Sequence, residues 1–137
     1  MFNKARKYLQ NNRPEKALPL FKRVLKDGGD YKEVFLNIGN CYKSLQKDDL
    51  AAEYYLKAAD PRVPFTDRTF IDVYTPALNN LGMLASKYKN YDTAEEFFYK
   101  AIKKDPKYAD ALWNMSNLQL MKLSSNKQDD AEMCWRL

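Results

Sequence analysis

The chain contains no histidine. That removes the commonest general base and the commonest metal ligand of neutral pH. It also lacks a Cys-x-x-Cys pair, a phosphate-binding glycine loop and a dinucleotide fingerprint. Four glycines and six prolines in 137 residues leave little room for linkers or many tight turns, which favours helices over a sheet. The two cysteines, Cys41 and Cys134, stand far apart with no partner motif. They read as reduced thiols in helices of an intracellular protein, with a single disulfide between them as the alternative. The opening stretch MFNKARKYLQNN carries no apolar run of the signal-peptide kind. No stretch approaches the roughly 20 apolar residues that span a bilayer. The expectation is therefore a cytoplasmic protein with no membrane partner, no cofactor and no metal.

What is present is a balanced globular composition, 45% hydrophobic and 30% charged, enough for one domain or one short repeat array. The formal charge of +5 permits an acidic partner without demanding one. Lys100, Lys103, Lys104 and Lys107 form a modest cluster that reads as a solvated helix face, because no aromatic-interleaved basic motif accompanies it. No nucleic-acid partner is expected.

One phrase is written four times: RPEKALPLFKRVLKD, KDDLAAEYYLKAADP, NYDTAEEFFYKAIKKDP and KQDDAEMCW. Aligned on Ala17, Ala51, Ala94 and Ala131, the copies are spaced by 34, 43 and 37 residues. Glu15, Asp49, Asp92 and Asp129 lie two residues before these alanines, and Phe21, Tyr55, Phe98 and Trp135 four residues after. Val24, Ala58 and Ala101 follow three further on, and offsets of four and seven share one helical face. A second pattern precedes the first: FLNIGNCY and LNNLGMLA match in register, and LWNMSNLQ matches with serine for glycine. Each unit thus predicts two helices. Gly39, Gly82, Ser116 and Ala5 let them approach closely, and the aromatics fill the wedge between units. Each buried ring is worth roughly 1.5–3 kcal/mol. One hairpin cannot bury both faces, so the units must stack.

With Asp-Pro at residues 60–61 and 105–106 closing two units, this pattern resembles the tetratricopeptide repeat family over almost the whole chain, as about three and a half units. The resemblance implies an all-α, right-handed solenoid of antiparallel helix pairs. The expected units are 1–31, 32–65, 75–108 and an incomplete 109–137, with an insertion at 66–74. The apolar Trp135 and Leu137 suggest a continuation, a cropped fragment or a partner surface. In the extra segment RVPFTDRTFIDVYT, Pro64 should end a helix and Thr75-Pro76 should cap the next one. Phe70, Ile71, Val73 and Tyr74 are too apolar for a free loop, so a short helix or helical extension packed on the array is expected. It serves either as a tolerated insertion or as a lip beside the groove.

Adjacent acids at Asp48-Asp49, Glu95-Glu96 and Asp129-Asp130 are better read as favouring helix N-termini than as an acid/base pair. Neither cysteine has a histidine to activate it. The expectation is no catalytic residue and no enzyme. In the family that the sequence resembles, the first helix of each unit lines the concave side. Asn37, Asn80 and Asn114 lie two residues before the small position, and Asn40 and Asn117 one after. They would form an amide ladder able to pair with the backbone of an extended peptide, similar to ladders in O-linked N-acetylglucosamine transferases. The alternative is that these amides bridge neighbouring helices. Further groove candidates are Glu33, Leu36, Lys43, Asn79, Met83, Lys87, Asp110 and Trp113, with Trp113 the leading anchor. Phe2, Pro76 and Asn80 stand where a carboxylate clamp would need cations, so no chaperone-tail binding is expected. The leading function is a scaffold binding a protein or an extended peptide. The alternatives are a substrate-recruiting module of an O-linked glycosyltransferase and an oligomer built through the open ends.

Overall fold

The computed structural model describes residues 1–28, 31–60 and 70–136, with residues 31, 70, 71 and 126–136 as backbone only. All regular structure among them is helical: α1 (Phe2–Gln10), α2 (Pro14–Lys26), α3 (Tyr31–Ser44), α4 (Asp48–Ala58), a π-helical turn (Phe70–Tyr74), α5 (Thr75–Lys87), α6 (Tyr91–Lys104) and α7 (Ala109–Arg136). Each helix packs on the next, giving an all-α solenoid of hairpins α1/α2, α3/α4 and α5/α6 followed by α7.

Charge and proline placement start the second helices. Pro14 opens α2, where a missing N–H costs nothing. Glu15, Asp48, Asp49 and Asp92 lie in first turns, and Lys103 and Lys104 in a last turn, complementing the helix dipole. The first helices stop in one manner. Asn12, Gln46 and Lys89 adopt the left-handed conformation, at φ 58°, 60° and 62°. Each stands five residues before its repeat alanine. The next residue then reaches back: Arg13 N–H to Tyr8 O at 2.9 Å, Lys47 N–H to Tyr42 O at 2.8 Å, Asn90 N–H to Ala85 O at 2.9 Å. These are Schellman closures, usually built on glycine. Gln46 and Lys89 hold them at a conformational cost of roughly 1–2 kcal/mol each.

Packing inside each hairpin rests on the small residues. A Cβ on Gly39 would stand 2.7 Å from the Tyr55 ring, and one on Gly82 would press still closer on the Phe98 ring. The rings therefore lie against the glycine of their own hairpin, not only in the wedge between units. Phe98 also reaches the next unit, sharing a small cluster with Ala94 and Leu118. Ala5, Ala17, Phe21, Ala51, Tyr55, Ala58, Ala94 and Ala101 are buried, and Phe2 meets Phe21 edge-on at 5.8 Å. One core runs through α1–α5 and on to Ala101 and Ala111.

Two parts of the array depart from the sequence reading. Thr75 is buried and helical rather than a cap, since Tyr74 before it is already in the right-handed helical region. The π turn gives the reason. Pro76 cannot donate to the carbonyl four residues back and would clash with it, and a wider turn just upstream displaces that carbonyl. Val73 and Tyr74 are buried, and the turn touches α3, α5 and α6. The remainder of the insertion, including Pro64, lies outside the described residues. Secondly, Ala109–Arg136 is one helix of 28 residues, not the expected helix pair of a fourth unit. It contains neither glycine nor proline, so no residue forces a break. The side chains of Ala131 and Trp135 lie outside the described residues.

Gly82→Ala should destabilise the protein. Helix propensity gains about 1 kcal/mol, but overpacking against a buried ring costs about 1–3 kcal/mol. A net loss of about 1 kcal/mol by urea denaturation is expected, with a smaller loss for Gly39→Ala. Lys89→Gly should do the reverse, gaining about 0.5–1 kcal/mol by relieving the left-handed backbone.

Candidate functional site

The surface formed by α3, α5 and α7 carries the asparagines singled out above, and the structure separates them by role. Asn37 donates to the Glu33 carbonyl of its own helix at 2.9 Å. The Asn40 side-chain oxygen accepts from the Tyr55 hydroxyl at 2.6 Å and from Asn80 Nδ2 at 3.4 Å. Asn79 is buried, accepts from Asn114 Nδ2 at 2.9 Å and donates to Met83 Sδ at 3.7 Å. These amides thus tie helix to helix: Asn80 to Asn40 joins α5 to α3, and Asn114 to Asn79 joins α7 to α5. The Asn117 side chain makes no hydrogen bond among the described residues.

Between α5 and α7 a cavity of about 280 Å³ opens on this surface. Met83, Phe98, Leu118 and Met121 give it apolar walls, and Asn114, Asn117, Ser86 and Lys87 its polar rim. Met83 and Met121 are 37% and 44% exposed, flexible side chains able to reshape around an apolar guest. A larger cavity, about 430 Å³, lies elsewhere, among Leu56, Tyr74, Leu78, Leu81 and Phe97, and is bounded by Asp60, where the described residues stop.

Trp113 does not join the 280 Å³ cavity. It is 69% exposed and occupies on α7 the register position that Asn79 occupies on α5. Asn79 faces the following unit, so Trp113 lies on the open side of the last helix. Asp110 is exposed at the start of α7, and Leu36 is buried in the core. Glu33 is half-buried.

Charges form a second set of inter-unit ties. Lys87 Nζ lies 2.7 Å from Asp48, and the Tyr88 hydroxyl donates to the same carboxylate oxygen at 2.6 Å. Lys122 bridges to Glu95 at 2.6 Å and to Asp92 at 3.5 Å. In one case the end of α5 pins the first turn of α4, and in the other the middle of α7 pins the opening turns of α6. Sequence reading explained these acids by the helix dipole and missed their partners. Tyr88 and Lys122 stand at equivalent register positions, a signal that aligning the first helices on Gly82 and Ser116 would have given. Hydrogen bonds from Lys87 and Tyr88 hold the Asp48 carboxyl below its ordinary range. Burial lowers the Lys43 ammonium, partly countered by Asp48. Burial pushes the Cys41 thiol up to about 12, which leaves it unreactive near neutral pH. Among the described residues no group of three or more His, Cys, Asp or Glu is placed to hold a metal ion, and no helix is long and apolar enough to cross a membrane.

Tetratricopeptide repeat profiles match residues 2–65 and 75–108. Tetratricopeptide repeat protein 8 of Caenorhabditis elegans is 30% identical over 124 residues, which is 90% of this chain and 22% of that protein. The chain therefore spans less than a quarter of that relative's length.

The lowered Asp48 carboxyl fixes a sign for acid stability. Its contribution is complete above the unfolded carboxylate value of about 3.9 and is lost as pH falls through the lower folded value. Thermal melts of the Asp48→Asn variant should show a lower Tm than wild type at pH 7. The gap should close as pH drops below about 4. A gap that stays constant with pH would contradict this role.

Proposed function

Because the chain belongs to the tetratricopeptide repeat family, we propose that it is a non-catalytic scaffold that holds an extended segment of a partner protein against the α3–α5–α7 surface. Repeats of this family serve generally as protein-interaction modules. The observation that carries the finer reading is the cavity between α5 and α7. It sets an apolar, methionine-lined recess beside amides and a lysine, the combination that seats one apolar side chain while bonding the backbone on either side.

The amide contacts narrow the candidate residues. Asn40, Asn79 and Asn80 are engaged in ties between helices and Asn37 Nδ2 in a bond to its own helix, so a guest peptide would draw on Asn117, on the free oxygen of Asn114 and on Met83. Lys87 is held by Asp48 and Lys43 faces the same carboxylate, so the recess offers apolar walls and amides rather than an unpaired charge. A peptide presenting one apolar side chain between free backbone amides is the expected guest. A non-catalytic role is consistent with an inert Cys41 and a chain without histidine. A buried free thiol also favours a reducing compartment, the cytoplasm.

Panning a random dodecapeptide phage library on the purified chain tests this reading. Enriched peptides should bind wild type and lose at least tenfold in affinity, about 1.4 kcal/mol, with Met83→Glu or Asn117→Ala. Circular dichroism should be unchanged in both variants. Leu56→Ala, outside the 280 Å³ cavity, should bind normally. Peptides that bind both cavity variants as tightly as wild type would refute the assignment.

A further inference from the structure

In the second and third hairpins one face of the first helix is closed by the second helix of the same unit. On α3, Phe35 and Tyr42 pack against Tyr54 at 6.1 and 5.6 Å between ring centres, and Gly39 meets Tyr55. On α5, Gly82 meets Phe98. The register positions of Phe35, Gly39 and Tyr42 become Leu112, Ser116 and Gln119 on α7. All three are exposed. With Leu120 at 66% and Leu123 at 58% exposure they form one bare stripe at helical spacing.

The chain that follows carries what the other second helices carry. Asp129, Ala131 and Trp135 stand in the register of Asp49, Ala51 and Tyr55. Five residues before the repeat alanine, the first three units have the left-handed residues Asn12, Gln46 and Lys89. The fourth has Asn126, and asparagine is among the non-glycine residues most at ease in that conformation. Length is sufficient as well: α4 closes its hairpin with 11 residues, and residues 127–136 offer ten.

We infer that the bare stripe of α7 is the docking site for the chain's own residues 127–136, which fold back at Asn126 as the second helix of a fourth hairpin. The straight α7 is then the open member of a pair of states. Closure places the register position of Trp135 opposite Ser116, and Asp129 and Asp130 in the first turn of a new helix, where acids are favoured. The opposite side of α7, with Asn114 and Asn117, stays available.

Spin labels at Cys134 and at an Ala109→Cys site, in a Cys41→Ala background with circular dichroism matching wild type, read the two states by pulsed electron resonance. A straight helix separates these positions by roughly 37 Å, at about 1.5 Å per residue. The closed hairpin brings them under about 25 Å, since packed helices lie about 8–10 Å apart. The expected result is a short distance that survives dilution with unlabelled protein, grows in population with Asn126→Gly and shrinks with Asn126→Ala. The long distance alone would overturn the inference. So would a short distance that disappears on dilution, because the stripe would then be covered by a second copy. If Cys41→Ala does not fold, acrylamide quenching of Trp135 fluorescence in Trp113→Phe gives the same decision. Shielding that Asn126→Ala relieves supports closure, and full accessibility refutes it.

Discussion

An aromatic ring laid against a residue with no Cβ is the contact on which the architecture depends. Tyr55 over Gly39 and Phe98 over Gly82 draw the two helices of a hairpin closer than any larger residue would allow. Close approach then exposes the flank of each hairpin as a shape its neighbour can fit. The repeat alanines Ala17, Ala51 and Ala94, all fully buried, do the same work from the second helix. The Tyr55 hydroxyl adds a polar consequence. Burial pushes its ionisation well above the ordinary range, so it remains a proton donor, and it gives that proton to Asn40. Packing and polar ties are thus set by one side chain.

The ties between units follow a consistent logic. Hydrophobic contact is non-directional and would tolerate some sliding of one hairpin over the next. Amide pairs and ion pairs are directional, and they occur at unit boundaries: Asn80 to Asn40, Asn114 to Asn79, Lys87 and Tyr88 to Asp48, Lys122 to Glu95. Ion pairs with at least one solvent-exposed partner contribute modestly to stability, typically about 1 kcal/mol or less. Their effect is on register, and hence on whether the cavity between α5 and α7 keeps its form.

Much of the fold was legible because the recurrence is internal to the chain. Ala17, Ala51 and Ala94 with Phe21, Tyr55 and Phe98 mark three second helices, and Gly39 and Gly82 mark the first helices opposite them. The candidate site was less legible. Residues 79, 80 and 83 are neighbours in sequence but point about 100° apart or one turn on, so only the rotation between successive units decides which amide meets the next helix and which meets solvent. Asn37 and Asn80 share one register position in the sequence and differ in the structure, the first bonding its own helix and the second the preceding one. The straight α7 was illegible for a different reason. A left-handed asparagine and a helical one are separated by a small free energy, and the sequence carries no glycine to decide between them.

The division of the apolar interior has a consequence for how the molecule breathes. The main core runs through α1–α5 and reaches α6 and α7 only at Ala101 and Ala111, whereas Ala94, Phe98 and Leu118 make a separate small cluster under the last junction. Stacked arrays owe their cohesion to nearest-neighbour interfaces, and a helix covered by described neighbours on one side only opens first. Amide protons along α7 should therefore exchange with solvent by sub-global fraying, well before those of α3 and α5. The rim of the α5–α7 recess lies at that seam, so its guest would bind where the scaffold is most compliant, and occupancy would knit the end of the array to its middle.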